Sequence, residues 1–253
     1  MEQYLQHFEF SFSKGAEPFS LEIIDSADVA LIEFNSFEGR DQFQLFLKNS
    51  FEQIREQGIQ NLIIDIRKNG GGNSNLGDDL LKYISDVPFT QYGDILTKVS
   101  KEVKEQYPSY EQEDGYIISS IYEDRKLIKP YPDSIRFLGD IYLLTSNFTF
   151  SSANDFAWCV KHYGIGELIG EETGQWGVSF GELINTKLPN TKLDVRVAHK
   201  KFYCIGANDE SQHGAIPDNM VKDDLKTKND EVLEYTLRLI MKNKTMHNNH
   251  FHE

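Results

Sequence analysis

Two short runs rich in β-branched and aromatic residues open the readable pattern, Phe19 to Ile24 and Val29 to Phe34. The polar stretch Asp25-Ser26-Ala27-Asp28 between them predicts a hairpin or tight turn. From Asp41 to Gln57 the residues Phe43, Phe46, Leu47, Phe51 and Ile54 recur at spacings of three and four. That period predicts an amphipathic helix, with Gly58 placed to stop it. Asn61 to Ile66 holds four apolar residues around one acid, the pattern of a strand covered on both faces. Gly70-Gly71-Gly72 follows, and Leu76 to Ile84 predicts a second helix. Strand, helix, strand, glycine turn, helix calls for a parallel sheet with helices packed against it.

Residues 86–136 break this rhythm. Val87-Pro88, Tyr107-Pro108 and Lys129-Pro130-Tyr131-Pro132 punctuate the segment, which reads as an irregular insertion or lid. The α/β pattern resumes with a strand over Asp140–Thr145, a helix from Ser151 to Tyr163 ended by Gly164, and a short strand over Glu167–Gly170. Glu182 to Leu188, Leu193 to Ala198 and Lys201 to Ile205 predict antiparallel strands, with His199 solvated between two of them. The last element is an amphipathic helix over Asp230–Lys242, with Asn229 as its cap. Residues 1–28 form an N-terminal strand segment, read as the remnant of a larger region. Residues 29–243 form one domain, and 244–253 a flexible tail carrying His247, His250 and His252.

Composition narrows the function. With 26 Lys+Arg against 40 Asp+Glu the chain carries a formal charge of −14. That balance argues against nucleic acid and against an anionic membrane surface as partners. No basic segment followed by an apolar one marks a secretory signal, and no run is long enough to cross a bilayer. As it stands the sequence places the protein in the cytoplasm, or outside it if an upstream segment belongs to the parent chain. Cys159 and Cys204 make no disulfide framework and read as small buried residues. No metal or cofactor signature is present.

Three segments carry chemistry. In Asp65-Ile66-Arg67-Lys68-Asn69-Gly70-Gly71-Gly72, glycines directly after a buried strand let a substrate approach the main chain, where peptide N–H groups can converge on negative charge. The same triplet is also what a plain strand–helix turn needs. Thr145 to Asn154 runs from a strand through small residues into a helix. Ser151 at that junction is either a helix cap or a nucleophile aimed at free amides. The third segment joins Gly170-Glu171-Glu172-Thr173-Gly174, Leu188-Pro189-Asn190-Thr191 and His213-Gly214-Ala215-Ile216-Pro217-Asp218, each an ordinary turn by itself.

Taken in order, D-I-R-x-N-G-G-G, T-x-x-T-F-S-S-A, G-E-E-T-G, L-P-N-T and G-x-I-P-D resemble the S41 peptidases over about residues 20–222. That family comprises C-terminal-processing (tail-specific) proteases and their tricorn-core and retinoid-binding-protein-like relatives. The resemblance implies an α/β fold with a crotonase/ClpP-like β-β-α spiral core, here with an irregular insertion and a few antiparallel strands. It implies Ser151 as nucleophile and an oxyanion hole from the backbone N–H groups of Ser152 and of Gly71, with Gly70 its neighbour. The substrate it implies is a peptide or unfolded protein.

The departures concern the general base. One branch of the family uses a lysine in the loop after G-E-x-T; Trp176 stands there, and tryptophan accepts no proton. The other branch uses a Ser–His–Glu set. Asp209 and Glu210, just ahead of the final turn, can supply its acid. Its histidine has no match: Glu33 stands on the first strand, and the N-terminal region offers His7 alone. His213 is the candidate base, since imidazole titrates near neutrality; bracing its own turn is the competing role. His162 falls about 16 Å along its helix from Ser151, out of reach. Two functions follow. One is a serine endopeptidase working through an acyl-enzyme on Ser151; the other is a peptide- or apolar-ligand-binding protein on the same fold without a working base. An extended peptide could add as a strand along Gly181 to Leu188.

Overall fold

In the computed structural model we describe residues 17–24, 27–120, 127–224 and 226–250. The main sheet has six strands in the order β1-β2-β3-β6-β7-β10. These are β1 (Phe19–Ile24), β2 (Val29–Phe34), β3 (Asn61–Asp65), β6 (Asp140–Thr145), β7 (Glu167–Gly170) and β10 (Asn219–Met220). The first pair is the antiparallel hairpin, and every later neighbour is parallel. The parallel strands need helical crossovers, supplied by α1 (Arg40–Glu56), α2 (Asn75–Ile84) and α4 (Ser152–Tyr163).

Side-chain alternation divides the core between the two faces. Ala30, Ile32, Phe34, Leu62, Ile64 and Leu143 pack with Phe43, Leu47 and Phe51 of α1, Leu80 of α2 and Phe156 of α4. Val29, Leu31, Ile63, Tyr142 and Leu144 point the other way, onto Val232 and Ile240 of α5 (Glu231–His250). Hence β3 is apolar at consecutive positions, as a strand sandwiched between helices must be.

Three sequence expectations change. Within 86–136 the described residues are not merely irregular: they contain β4 (Tyr92–Val99), α3 (Lys101–Gln106) and β5 (Gly115–Ser120). The three later strands are two long ones, β8 (Val178–Lys187) and β9 (Asp194–Cys204). Together they form a four-stranded antiparallel sheet, β5-β4-β9-β8. Its central pairing, β4 with β9, joins distant parts of the chain, and no local pattern announces such a partner. His199 lies inside β9, only 4% exposed, with its ring against those of Tyr107 and Tyr110. It is therefore not solvated; the folded insertion covers it. The last helix runs to His250, past the expected end at Lys242. Lys244 bonds the Ala27 carbonyl at 2.7 Å and Asp28 at 2.9 Å, which ties down the start of the expected tail. Its cap is Asp230, whose Oδ1 accepts the Leu233 amide at 2.8 Å, rather than Asn229. His7 and His252 lie outside the described residues. Among the described residues, no helix is long and apolar enough to cross a membrane.

Candidate active site

Neighbouring parallel strands β3 and β6 end side by side, with Asp65 opposite Leu144. The turns leaving their carboxyl ends are therefore adjacent, the usual place for a site in an open α/β sheet. Side chains lace the two turns together. Ser146 Oγ donates to the Arg67 carbonyl at 2.5 Å, Thr149 Oγ1 to that of Ile66 at 3.0 Å, and the Phe150 amide to that of Asn69 at 3.0 Å. Asn69 is fully buried; its Nδ2 donates to the Phe34 carbonyl at 2.7 Å and its Oδ1 accepts the Gly71 amide at 2.9 Å. Arg67 anchors the base of the glycine turn, with ion pairs to Asp65 at 2.6 Å, Asp230 at 2.7 Å and Asp223 at 3.3 Å.

Ser151 stands where the second turn becomes α4. Its backbone has φ 53° and ψ −130°, a region nearly closed to residues with a Cβ. Its hydroxyl caps nothing in the helix and meets no hydrogen-bond partner among the described residues. The capping role that sequence alone allows is therefore not taken up in this geometry. The Ser152 amide, at the first helical position, has no intrahelical acceptor. Facing it is Gly71 at φ 94°. A β-carbon on Gly71 would fall 2.6 Å from Ser151 Cβ, 2.8 Å from the Phe150 carbonyl oxygen and 2.9 Å from the Ser152 nitrogen. Only glycine allows the two turns to come this close. Gly70 and Ser152 have amides without an acceptor among the described residues, whereas the Gly71 amide is engaged by Asn69.

A third segment closes on the same place. Gly174 donates its amide to the Thr149 carbonyl at 2.9 Å, and Thr173 Oγ1 donates to Asn154 Oδ1, on the first turn of α4, at 2.6 Å. Asn154 Nδ2 reaches the carbonyl of Trp176 at 3.4 Å. The 213–217 turn is tied to this loop in turn. Gly214 N donates to Glu172 at 2.8 Å, and Ala215 N to Thr173 Oγ1 at 2.6 Å. Gly71, Gly70, Ser151 and Ser152 are thus brought together, and the loop that bears His213 is fastened to them through Thr173.

The polar candidates around Ser151 are placed less directly. His213 stacks on Trp158 of α4, ring centroids 5.2 Å apart, with Nδ1 2.7 Å from the Gly214 carbonyl. Asp209 pairs with Lys201 at 2.6 Å and accepts the Tyr203 hydroxyl at 3.0 Å. Those two donors hold its carboxyl below the ordinary value. Glu210 is exposed; its amide donates to Asn208 Oδ1 and its carbonyl accepts the Gln212 amide, while its carboxylate meets no hydrogen-bond partner among the described residues. None of the three bonds the Ser151 hydroxyl. Trp176 is exposed, and Glu33 accepts the Ser20 hydroxyl at 3.0 Å.

Sequence reasoning passed over Asp155, one turn beyond Ser151. It is 5% exposed, and burial pushes its carboxyl up to about 6, against the hydrogen bonds from Tyr92, Cys204 and Asn154. The available signal was a charged residue on the buried side of a helix that otherwise shows Ala153, Phe156 and Val160 to the core. Among the described residues, no group of three or more His, Cys, Asp and Glu side chains is disposed as a metal site.

Comparison with known proteins bears on this arrangement. The model for peptidase family S41 matches residues 28–221. Among solved structures, a peptidase candidate from Parabacteroides merdae is 18% identical with a TM-score of 0.60, covering 95% of this chain and 70% of its own. The photosystem II D1 C-terminal processing protease is 17% identical with a TM-score of 0.55, covering 89% of this chain and 53% of its own. Mature CPAF is 14% identical with a TM-score of 0.55, covering 76% of this chain and 46% of its own. At these identities the likeness is one of fold, and the chain spans only about half the length of the last two. Among curated protein sequences no match is found.

Proposed function

Because the chain belongs to peptidase family S41, we propose that it is a serine-type peptidase that attacks peptide carbonyls with the Ser151 hydroxyl and passes through an acyl-enzyme. The observation that carries this reading is the strained Ser151 backbone abutting Gly71, with the hydroxyl unbonded among the described residues and the Ser152 amide beside it. A carbonyl carbon approaching Ser151 would bring its oxygen to the Ser152 and Gly70 amides, where developing charge is stabilised without reorganisation. The Gly71 amide joins them once Asn69 releases it. The main sheet is read as a crotonase/ClpP-like β-β-α spiral core, which suits the β1-β2-α1 order at its start.

For the base the reading takes His213, whose turn is fastened to the first helical turn through Thr173 and Asn154. The imidazole must leave its stack on Trp158 when substrate binds, since catalytic hydrogen bonds often tighten only in the complex. Glu210 is then the acid at hand, because Asp209 is occupied by Lys201. The substrate is a peptide or unfolded segment. β8 ends the order β5-β4-β9-β8 and could offer it main-chain pairing, but only outside the stretch where Gln106 already bonds Asn185 and the Tyr107 hydroxyl bonds the Leu183 carbonyl.

A second reading rests on one specific feature: no base touches the Ser151 hydroxyl among the described residues. On that reading the protein binds peptides or apolar ligands and turns them over barely at all, since loss of the base costs orders of magnitude. A fluorophosphonate probe decides between the two. Labelling at Ser151, abolished by Ser151→Ala and slowed by His213→Gln, supports the peptidase. An unlabelled Ser151, beside a control serine hydrolase that reacts, leaves the binding protein.

A further inference from the structure

Part of the outer edge of β8 is already paired, by side chains rather than by a strand. Gln106, at the end of α3, donates from Nε2 to the Asn185 carbonyl at 3.0 Å and accepts the Asn185 amide on Oε1 at 2.9 Å. The Tyr107 hydroxyl donates to the Leu183 carbonyl at 3.3 Å. Two residues of a hydrogen-bonded pair in an antiparallel ladder exchange both N–H···O bonds in this way. A primary amide carries a donor and an acceptor on one planar group, as the main chain does. The Gln106 side chain therefore stands in for one residue of an antiparallel partner strand.

Only the far half of the edge is taken. The register of β8 with β9 is unshifted from Val178 opposite Tyr203 to Lys187 opposite Asp194, so alternation holds along the strand. Asn185 and Leu183 face outward, and Gly181 and Ser179 must face the same way. Among the described residues no side chain or loop bonds the main chain of those two. This open part is the end near the candidate site. The Trp176 carbonyl, just ahead of Val178, accepts from Asn154 on the first turn of α4 at 3.4 Å. Phe180 lies exposed on the open part. Leu183, where the occupied part begins, is about 17 Å beyond Val178 at the rise of a strand.

The strap that delivers Gln106 is also seated without these bonds. Val103 is buried, and the Tyr107 and Tyr110 rings lie against His199 of β9, with centroids 5.0 and 5.9 Å away.

We propose that Gln106 and Tyr107 set how much of an extended peptide the β8 edge can pair. A segment of about five residues docks over Val178–Glu182, and a longer one must displace the Gln106 amide from Asn185 to go on. This rests on the reading of β8 as the peptide-pairing edge and adds a length limit to it. Beyond Glu182 each main-chain bond the peptide makes replaces one that Gln106 or Tyr107 already makes, so the exchange brings little net affinity. A short peptide never meets the strap.

Fluorescence anisotropy tests this with two peptides of alternating valine and serine, four and ten residues long, acetylated, amidated and dye-labelled at one end. All proteins are the full chain carrying Ser151→Ala, so that bound peptide is not cleaved. With the strap intact, the two peptides should bind within about 2-fold of each other. Adding Gln106→Ala and Tyr107→Phe removes the three edge bonds and keeps Val103 and both rings on His199. The ten-residue peptide should then bind about 10-fold tighter and the four-residue peptide no differently. No tightening, equal tightening for both lengths, or a strong preference for the longer peptide with the strap intact would overturn the length limit. If neither peptide binds any of the proteins, β8 is not a docking strand, and the pairing reading itself fails.

Discussion

Ser151 Cβ stands where a side chain on Gly71 would have to go, since a β-carbon built on that glycine falls 2.6 Å from it. Two residues at positive φ, 53° and 94°, face each other across the seam between adjacent strand ends. Neither conformation is one that an ordinary side chain prefers, and the tightness of the seam holds both.

Gly71→Ala must displace backbone on both sides and occupy a forbidden region. We expect a loss on the order of 2–4 kcal/mol of stability and at least ~100-fold in probe labelling. Gly70→Ala, with nothing within 4 Å of the new methyl, should stay within ~0.5 kcal/mol of wild type in urea unfolding. Equal costs for the two substitutions would contradict the packing described.

The strain at Ser151 predicts an unusual sign. Replacing a helix-start serine by glycine normally costs a few tenths of a kcal/mol. Here Ser151→Gly removes a Cβ from a glycine-only region and should raise the melting temperature, by roughly 1 kcal/mol in stability. Ser151→Ala keeps the Cβ and should not. Calorimetry of the two variants separates strain from capping.

Asp155 gives a pH-dependent stability difference. Its folded value of about 6 lies above the ordinary 3.8, so the folded state binds its proton more tightly. Stability from this group is full below pH ~4 and is lost as pH rises through 6, by roughly 3 kcal/mol. Asp155→Asn removes that slope. Relative to wild type it should therefore become more stable between pH 4 and 7 by up to that amount, read from urea midpoints.

Arg67 gives the opposite dependence. Burial pushes the Asp230 carboxyl up, but hydrogen bonds from Arg67 and from the Leu233 amide outweigh it and hold the group below its ordinary value. That contribution is present above pH ~4 and is lost as pH falls below it. Arg67→Met should cost about 3 kcal/mol at pH 7, by stranding Asp65 and loosening Asp230. The difference from wild type should shrink toward pH 3 in chemical unfolding. A constant difference would show that Arg67 acts by packing alone.

Much of the main sheet could be read directly, because each of its elements carries its own periodicity. Phe43, Leu47 and Phe51 repeat along one helix face, and β3 is apolar on both sides. The second sheet was hidden for the converse reason. Tyr92–Val99 and Gly115–Ser120 alternate only weakly, and β4 gains a partner only when β9 arrives from much later in the chain. The seam of the candidate site was legible as residue types, glycines after a strand and a serine before a helix. The fastening through Thr173 and Asn154 was not, since a hydrogen bond between residues on separate loops leaves no period.

The sequence by itself determined which side chains are available: a serine at a strand–helix junction, glycines that admit positive φ, a tryptophan where a lysine would make a dyad, and a strongly acidic balance. These are properties of composition and near neighbours along the chain. Only the tertiary structure decided that Gly71 meets Ser151, that Asn69 is buried against the Phe34 carbonyl, that His213 rests on Trp158, and that Asp155 is sealed among neutral donors. Each of those facts depends on distances between segments remote in sequence, which are set by strand order and packing rather than by any residue's own preference.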